Sequence, residues 1–346
     1  MSNFQEFANA LQTRYQALLA SEPKLRARER AARLDVSEAQ LVAADCGVTS
    51  IQLASPVKAI FPKLGTLGHV MALSRNDWCV HERKGTYEDI QAEGPVGLVL
   101  GKDIDLRMFF FAWTHCYAVT EGERRSLQFF DAEGVALHKV YMLEESNAAA
   151  YDALVAEFAV TEKTWPEAKP YAPDTTPDVP EDAAGLRDTW LGLQDTHAFF
   201  PMLKKHKVSR LGALRSVGND LAQQIDNGAV ETMLQRAAET DLGIMCFVGN
   251  RGMVQIHSGP VKKLVRTGPW YNILDPLFNL HLNTEAVTST WVVNKPTSDG
   301  WVTSLELYND GGELIIQFFG VRKPGIPELT EWRELLIGLC AEPLAA

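Results

Sequence analysis

SLELYNDGGELIIQFF (304–319) repeats the pattern of SLQFFDAEGVALHKVY (126–141): an apolar run, a turn and a second apolar run. In each copy, segments rich in aromatic and aliphatic residues flank a turn, N-D-G-G or D-A-E-G, which is typical of an antiparallel hairpin. The two copies lie 178 residues apart. A hairpin that occurs twice in one chain predicts a fold that contains the same sheet twice.

Two further pairs of segments follow the same spacing. LGHVMALSRND (67–77) aligns with LGIMCFVGNRG (242–252) at an offset of 175 residues, and PVGLVLGKDIDLRMFFF (95–111) aligns with PWYNILDPLFNLHLNTE (269–285) at 174. Three blocks in the same order at nearly constant spacing indicate an internal duplication.

Other segments have the helical spacing of apolar residues. They are NFQEFANALQTRYQALLA (3–20), SEAQLVAADCG (37–47), GALRSVGNDLAQQID (212–226), GAVETMLQRAAET (228–240) and ELTEWRELLIGLC (328–340). Because strands and helices come in separate runs, we predict an α+β fold. Each of two similar halves is expected to hold a large antiparallel sheet flanked by helices, and a pseudo-twofold is expected to relate the halves.

The segment TEKTWPEAKPYAPDTTPDVPEDAAGLRD (161–188) contains five prolines among acidic and small residues. Such a composition favours an extended linker. We therefore predict an N-terminal half over 1–160, a linker over 161–188 and a C-terminal half over 189–346.

Composition and charge exclude several classes of protein. A net charge of −11 argues against nucleic acid as the main partner. The absence of a secretory h-region and of any long apolar stretch predicts a cytoplasmic protein without membrane insertion. The sequence contains no G-x-G-x-x-G, P-loop, H-E-x-x-H or G-x-S-x-G motif.

RERAARLDVSEAQLVAADCGV (28–48) has the outline of a helix-turn-helix. Ser37 is placed to cap the second helix, and Gln40 completes a capping box. The second helix carries Glu38 and Asp45, where a DNA-reading helix carries basic residues. A packed helical hairpin is therefore the preferred interpretation.

The segment DTHAFFPMLKKHKVSR (195–210) combines an imidazole, two phenylalanines and several cations. Asp195 and Ser209 are placed to cap helices. Haem is a ligand that requires this combination, because its iron takes an imidazole, its macrocycle takes an apolar slot and its propionates take Arg or Lys. A solvated or structural histidine is the alternative.

The chain also resembles a known family. DTHAFFPMLKKHK, LRSVGNDLAQQIDN, FVGNRGMVQIHSG and NKPTSDGWVTSLELY resemble the C-terminal half of the cytoplasmic hemin-degrading and haem-trafficking proteins of Gram-negative bacteria, the HemS-like family. DIDLRMFF and SLQFFDAEGVALHKVY are similar to its N-terminal half. The resemblance extends over essentially the whole chain.

The resemblance implies roles for seven residues around one haem in the cleft between the halves. His197 corresponds to the proximal iron ligand, and Arg107 in D-L-R-x-F corresponds to the distal residue. The remaining implied contacts are Phe109 and Phe247 as walls of the distal side, Arg210 and Lys295 at the propionates, and Gln317 near them. The family has a tyrosine roughly where this chain has Phe319. His206 is either an alternate ligand for haem transfer or a solvated residue.

Two functions follow from the resemblance. In the first, the protein is an enzyme that opens the porphyrin with O₂ and an external electron donor, and so releases iron. In the second, it is a haem chaperone that receives haem from an inner-membrane importer and passes it to a separate haem oxygenase. A reductase is a further expected partner, because the sequence has no flavin or nicotinamide motif.

Overall fold

The computed structural model describes residues 3–54, 56–323 and 325–346. Its helices are α1 (Asn3–Ser21), α2 (Ala27–Leu34), α3 (Glu38–Ala44), α4 (Ala148–Phe158), α5 (Ala183–Leu191), α6 (Phe199–Lys205), α7 (Arg210–Ser216), α8 (Ala229–Thr240) and α9 (Thr330–Ile337). Its first strands are β1 (Ser50–Gln52), β2 (Val70–Arg75), β3 (Cys79–Gly85), β4 (Ile90–Gln91), β5 (Val96–Leu100), β6 (Asp105–Phe109), β7 (His115–Glu121), β8 (Arg124–Phe130) and β9 (Ala136–Met142). The later strands are β10 (Ala222–Ile225), β11 (Ile244–Asn250), β12 (Met253–Gly259), β13 (Leu264–Thr267), β14 (Trp270–Leu274), β15 (Phe278–Asn283), β16 (Ser289–Thr297), β17 (Gly300–Tyr308) and β18 (Leu314–Gly320).

Both predicted hairpins are confirmed, and their turns are alike in detail. Strands β8 and β9 pair antiparallel, as do β17 and β18, and each pair has a register shift at its turn-proximal end. Gly134 and Gly312 occupy equivalent turn positions with φ of 80° and 74°. A positive φ favours glycine, which explains why both turns end on it.

The strand order confirms the internal duplication. In the N-terminal part the antiparallel order is β1-β7-β8-β9-β2, with a separate ladder β4-β5-β6. In the C-terminal part the order is β10-β16-β17-β18-β11, with a ladder β13-β14-β15. Each strand therefore has a counterpart in the other set, and the α+β fold with two similar antiparallel sheets is as predicted.

The chain forms two compact units whose bounds differ from the predicted halves. Unit 1 comprises 1–75, 81–172 and 249–255, and unit 2 comprises 76–80, 173–248 and 256–346. The chain thus passes between units within β3, β11 and β12.

The predicted linker divides between the two units. Its first part is held to unit 1 by Trp165, whose ring packs against Phe4 and Phe7 with centroids 5.8 and 5.7 Å apart, and by the Lys169 N–H, which donates to the Ala132 carbonyl. Its last part contains the start of α5 at Ala183.

Helices cover both faces of the large sheet of unit 2. On one face, α5, α6 and α7 pack on β16 and β17 through Trp190, Phe199, Leu211, Trp291 and Tyr308. On the other face, α8 and α9 pack through Met233, Trp332, Val292, Leu305 and Leu307. In β17, Tyr308 lies on the first face, whereas Leu305 and Leu307 lie on the second. Successive side chains of a strand point to opposite faces in this way.

Unit 1 repeats this arrangement with α1 and α3 on one face of its sheet. Ala39 and Ala43 of α3 pack with Tyr117 and Phe130. The predicted capping box is confirmed, because Ser37 Oγ accepts the Gln40 N–H at 3.2 Å and Gln40 Oε1 accepts the Ser37 N–H at 3.0 Å. The helices of 28–48 are therefore a packed hairpin.

One predicted helix is wrong in its second part. The segment 212–226 was expected to be helical throughout, but α7 ends at Ser216 and residues 222–225 form β10. Gly218 has φ of 97°, which breaks the helix, and β10 then pairs with β16. None of the helices in the described ranges is long and apolar enough to cross a membrane.

Candidate functional site

His197 lies in a single 3₁₀ turn, Thr196–Ala198, that leads into α6. As predicted, Asp195 caps this turn: its Oδ1 accepts the His197 N–H at 2.8 Å. The same oxygen lies 2.7 Å from His197 Nδ1. The His197 side chain is 87% exposed. Among the described residues no hydrogen-bond partner of His197 Nε2 is found, and the exposed ring leaves this nitrogen accessible.

The two residues expected at the propionates, Arg210 and Lys295, meet at one buried carboxylate, Glu306. Arg210 donates from Nε to Oε2 at 2.8 Å and from Nη2 to Oε1 at 2.6 Å. Lys295 Nζ donates to Oε1 at 3.0 Å, and Gln317 Nε2 donates to the same oxygen at 2.9 Å. The structure thus brings Arg210, Lys295 and Gln317 together, as the resemblance implies, with Glu306 at the centre.

Local sequence explains how these side chains reach Glu306. Ser209 caps α7, since its Oγ accepts the Gly212 N–H at 3.0 Å, and Arg210 is the first residue of that helix. Glu306 lies opposite Gln317 in the ladder of β17 and β18. One helix start and two strands therefore fix the positions of the donors.

An aromatic ring lies directly under the two cations. Arg210 Cζ and Lys295 Nζ are 4.9 and 4.5 Å from the centroid of Phe199. Phe199 is buried and packs edge-to-face on Trp190 with centroids 4.8 Å apart. Cations over a ring face in a desolvated place are stabilised by the ring quadrupole.

Burial and charge act against each other on the ionisable groups of this network. Burial alone would raise the pKa of Glu306, but Arg210 and Lys295 hold that pKa well below its ordinary value. Burial lowers the pKa of Lys295 to about 8, although Glu306 opposes this effect. Arg210 and Lys295 are two positive charges and Glu306 is one negative charge, so this network has an excess of positive charge near neutral pH.

Phe247 continues the site as an aromatic surface. It lies opposite Gln317 in the ladder of β11 and β18, and its ring contacts that of Phe319 at a centroid distance of 5.0 Å. Both rings are half-buried. The face of unit 2 next to the cationic network therefore presents an apolar surface.

Arg107 and Phe109 lie in unit 1, on the half-exposed face of β6. Arg107 is ion-paired with Asp105 and also donates from Nη1 to the Leu106 carbonyl at 3.1 Å. Burial raises the pKa of Asp105, and Arg107 opposes this effect. Phe109 stacks on Phe111, whose side chain is largely exposed, with centroids 6.4 Å apart.

His206 lies just beyond α6 and is half-buried. Its Nε2 is 2.9 Å from Thr189 Oγ1. This histidine is therefore held by α5 and is not a fully solvated side chain.

Glu306 is the residue of the site that the sequence prediction missed. Its carboxylate also accepts hydrogen bonds from Ser304 Oγ at 2.9 Å and from Tyr308 OH at 2.6 Å. The signal was a charged residue between Leu305 and Leu307 in an otherwise uncharged strand, because a charge that is buried in a strand requires partners.

Comparisons with known proteins identify the family of the chain. A sequence model described as the haemin-degrading HemS.ChuX domain matches residues 35–158 and 207–339. The hemin transport protein HmuS of Yersinia pestis is 37% identical over 97% of this chain and 99% of its own length. The hemin transport protein HemS of Yersinia enterocolitica is 37% identical over 98% of this chain and all of its own.

Two solved structures superpose over nearly the whole chain. Holo-PhuS, a heme-binding protein from Pseudomonas aeruginosa, has a TM-score of 0.94 at 45% identity and covers 97% of this chain and 99% of its own. The heme-degrading enzyme ChuS of Escherichia coli O157:H7 has a TM-score of 0.91 at 36% identity and covers 96% and 99%.

Proposed function

Since the chain belongs to the haemin-degrading HemS/ChuX family and is a haem-binding protein of the haemin-transport type, we propose that His197 is the axial ligand of its haem. Arg210 and Lys295 then bind the propionates, with Gln317 beside them, and Phe247 forms part of the wall. Arg107 and Phe109 are proposed haem contacts on the strength of the D-L-R-x-F motif that they share with the family.

The observation that carries this proposal is the contrast between His197 and the cationic network. Within the described ranges His197 Nε2 has no hydrogen-bond partner, whereas Arg210 and Lys295 carry more positive charge than Glu306 neutralises. An iron takes a neutral imidazole nitrogen, and carboxylates take Arg or Lys. Haem carries both groups, an iron and two propionate carboxylates, in one molecule.

The chain's own residues bind and orient this ligand. The cations would bind the propionate edge at a fixed place on the sheet, since their hydrogen bonds to Glu306 hold both side chains. The half-buried rings of Phe247 and Phe319 exclude water from part of the macrocycle face. The iron and the redox chemistry belong to the haem when it is bound.

For the reaction, we propose oxidative opening of the porphyrin with O₂ and electrons from an external reductase, in the cytoplasm, with release of iron. The second candidate is a chaperone that accepts haem from an inner-membrane importer and hands it to a haem oxygenase. The high exposure of His197 favours the second candidate, because an accessible ligand exchanges readily.

One experiment separates these two functions. Haem-loaded protein is mixed with ascorbate in air, with catalase present, while the Soret band and the released iron are followed. Loss of the Soret band together with iron release supports the enzyme. A Soret band that survives, followed by transfer when a haem oxygenase is added, supports the chaperone. Haem-free protein treated in the same way, with ascorbate and catalase in air, is the control for contaminating iron.

A further inference from the structure

Asp195 makes two contacts where a helix cap needs one. Its Oδ1 accepts the His197 backbone N–H and also contacts His197 Nδ1, at 2.8 and 2.7 Å. By comparison, Asp182 caps α5 through one contact, from the Gly185 N–H at 2.9 Å. The ring contact of Asp195 is therefore additional to capping.

Fold stability does not explain this additional contact. The two side chains are 64% and 87% exposed, and ion pairs in water contribute little to stability. The pair instead decides which ring nitrogen carries the proton. A carboxylate at Nδ1 favours the Nδ1–H tautomer and leaves the lone pair on Nε2.

We propose that Asp195 is the positioning residue of His197: it fixes the ring and its tautomer so that Nε2 is presented as an electron-rich ligand. This inference rests on the proposed axial role of His197. Carboxylates that accept the second N–H of a metal-bound histidine orient the ring and raise its basicity. Asp195 stands in that relation to His197 before any haem is bound.

The first test uses the haem-free protein. Long-range ¹H–¹⁵N spectra of ¹⁵N-histidine-labelled protein, at an alkaline pH where free histidine is neutral, report the tautomer of His197. We expect the Nδ1–H form in the wild type, a partial shift in Asp195→Asn, and a shift to the Nε2–H form in Asp195→Ser. Asn and Ser both preserve the cap, so α6 stays folded in each variant.

The second test uses the haem-loaded protein. Asp195→Ser should weaken haem binding by about 10- to 100-fold, as loss of such a partner does at metal sites, with Asp195→Asn between it and the wild type. The reduction potential of the bound haem should rise in the order Asp, Asn, Ser, because a less basic imidazole stabilises ferric iron less. Asp182→Ser is the matched control and should leave the tautomer, affinity and potential unchanged.

The outcomes separate this inference from the proposed function. If His197→Ala abolishes the haem spectrum but Asp195→Ser leaves the tautomer and affinity at wild-type values, Asp195 is only a cap and this inference is overturned. If His197→Ala binds haem as the wild type does, the proposed function fails and the ligand role of Asp195 fails with it.

Discussion

At the scale of single residues, Glu306 determines the charge of the candidate site. Among the described residues, its fully buried carboxylate accepts bonds from Arg210, Lys295, Ser304, Tyr308 and Gln317. A buried charge is tolerated only when it is paired and hydrogen-bonded. Removing the carboxylate takes the shared partner away from all of these donors at once.

We therefore expect Glu306→Gln to lower the free energy of unfolding by about 3–5 kcal/mol, because the buried Lys295 and the partly buried Arg210 lose their counter-charge. Urea denaturation at pH 7 measures this change. The matched control is Glu231→Gln, which breaks an exposed pair with Arg266 and should cost less than about 1 kcal/mol. Equal effects of the two substitutions would show that Glu306 is not the centre of a buried network.

At the scale of secondary-structure elements, α7 places Arg210, and the chain before α5 holds α7. The Ser209 N–H donates to the Pro177 carbonyl at 2.8 Å. Gly212, in the middle of α7, lies so close to the Asp178 backbone that a Cβ would overlap it. The close approach at Gly212 therefore sets the distance between α7 and this segment.

Gly212→Ala should displace α7 and lower the free energy of unfolding by about 1–3 kcal/mol, the usual range for overpacking. It should also weaken haem binding, since Arg210 starts the same helix. Gly192→Ala, at the end of α5, is the control, because its Cβ would meet no atom closer than 3.5 Å. Thermal unfolding and haemin titration of both variants provide the measurements, and identical behaviour of the two would contradict this account of α7.

Strand β9 contains a buried histidine where its counterpart β18 has Ile316. His138 is hydrogen-bonded to Ser74 Oγ at 2.8 Å and to Tyr87 OH at 2.5 Å. Burial lowers the pKa of His138 from 6.5 to about 3. The folded state therefore keeps this imidazole neutral over a range in which the unfolded chain takes up a proton.

This difference fixes the sign of the pH dependence. Between pH 6.5 and about 3 the unfolded state binds more protons, so stability falls as pH falls, by up to about 1.4 kcal/mol for each pH unit. Urea denaturation between pH 7 and 5 should show a steeper loss for the wild type than for His138→Gln, which has no titrating group there. Parallel curves for the two proteins would contradict a buried neutral His138.

At the scale of the whole molecule, local patterns predicted what local interactions determine. The repeated hairpins were found because a turn glycine and alternating apolar residues are local signals, and the caps at Ser37, Asp195 and Ser209 were found for the same reason. The end of α7 was missed because β10 is a strand only through its pairing with β16. Local patterns do not report the interleaving of the two units, because 76–80 and 249–255 belong to their units through tertiary contacts.

The same distinction applies to the candidate site. Its residues came from motifs that resemble the family, and Glu306 was missed although it lies inside one of them. The sequence does not show where α7 packs on the sheet. That packing brings Arg210 to Glu306 of β17. Pairing between distant elements decides whether a charged residue in a strand is solvated or buried.

The central claim is that His197 is the axial ligand of one haem. The most direct measurement is a haemin titration followed at the Soret band, with wild type, His197→Ala and His206→Ala in parallel. The account predicts saturation at one haem per chain for the wild type and for His206→Ala, and a weakened, spectrally altered complex for His197→Ala. A His197→Ala titration that superposes on the wild type would contradict it.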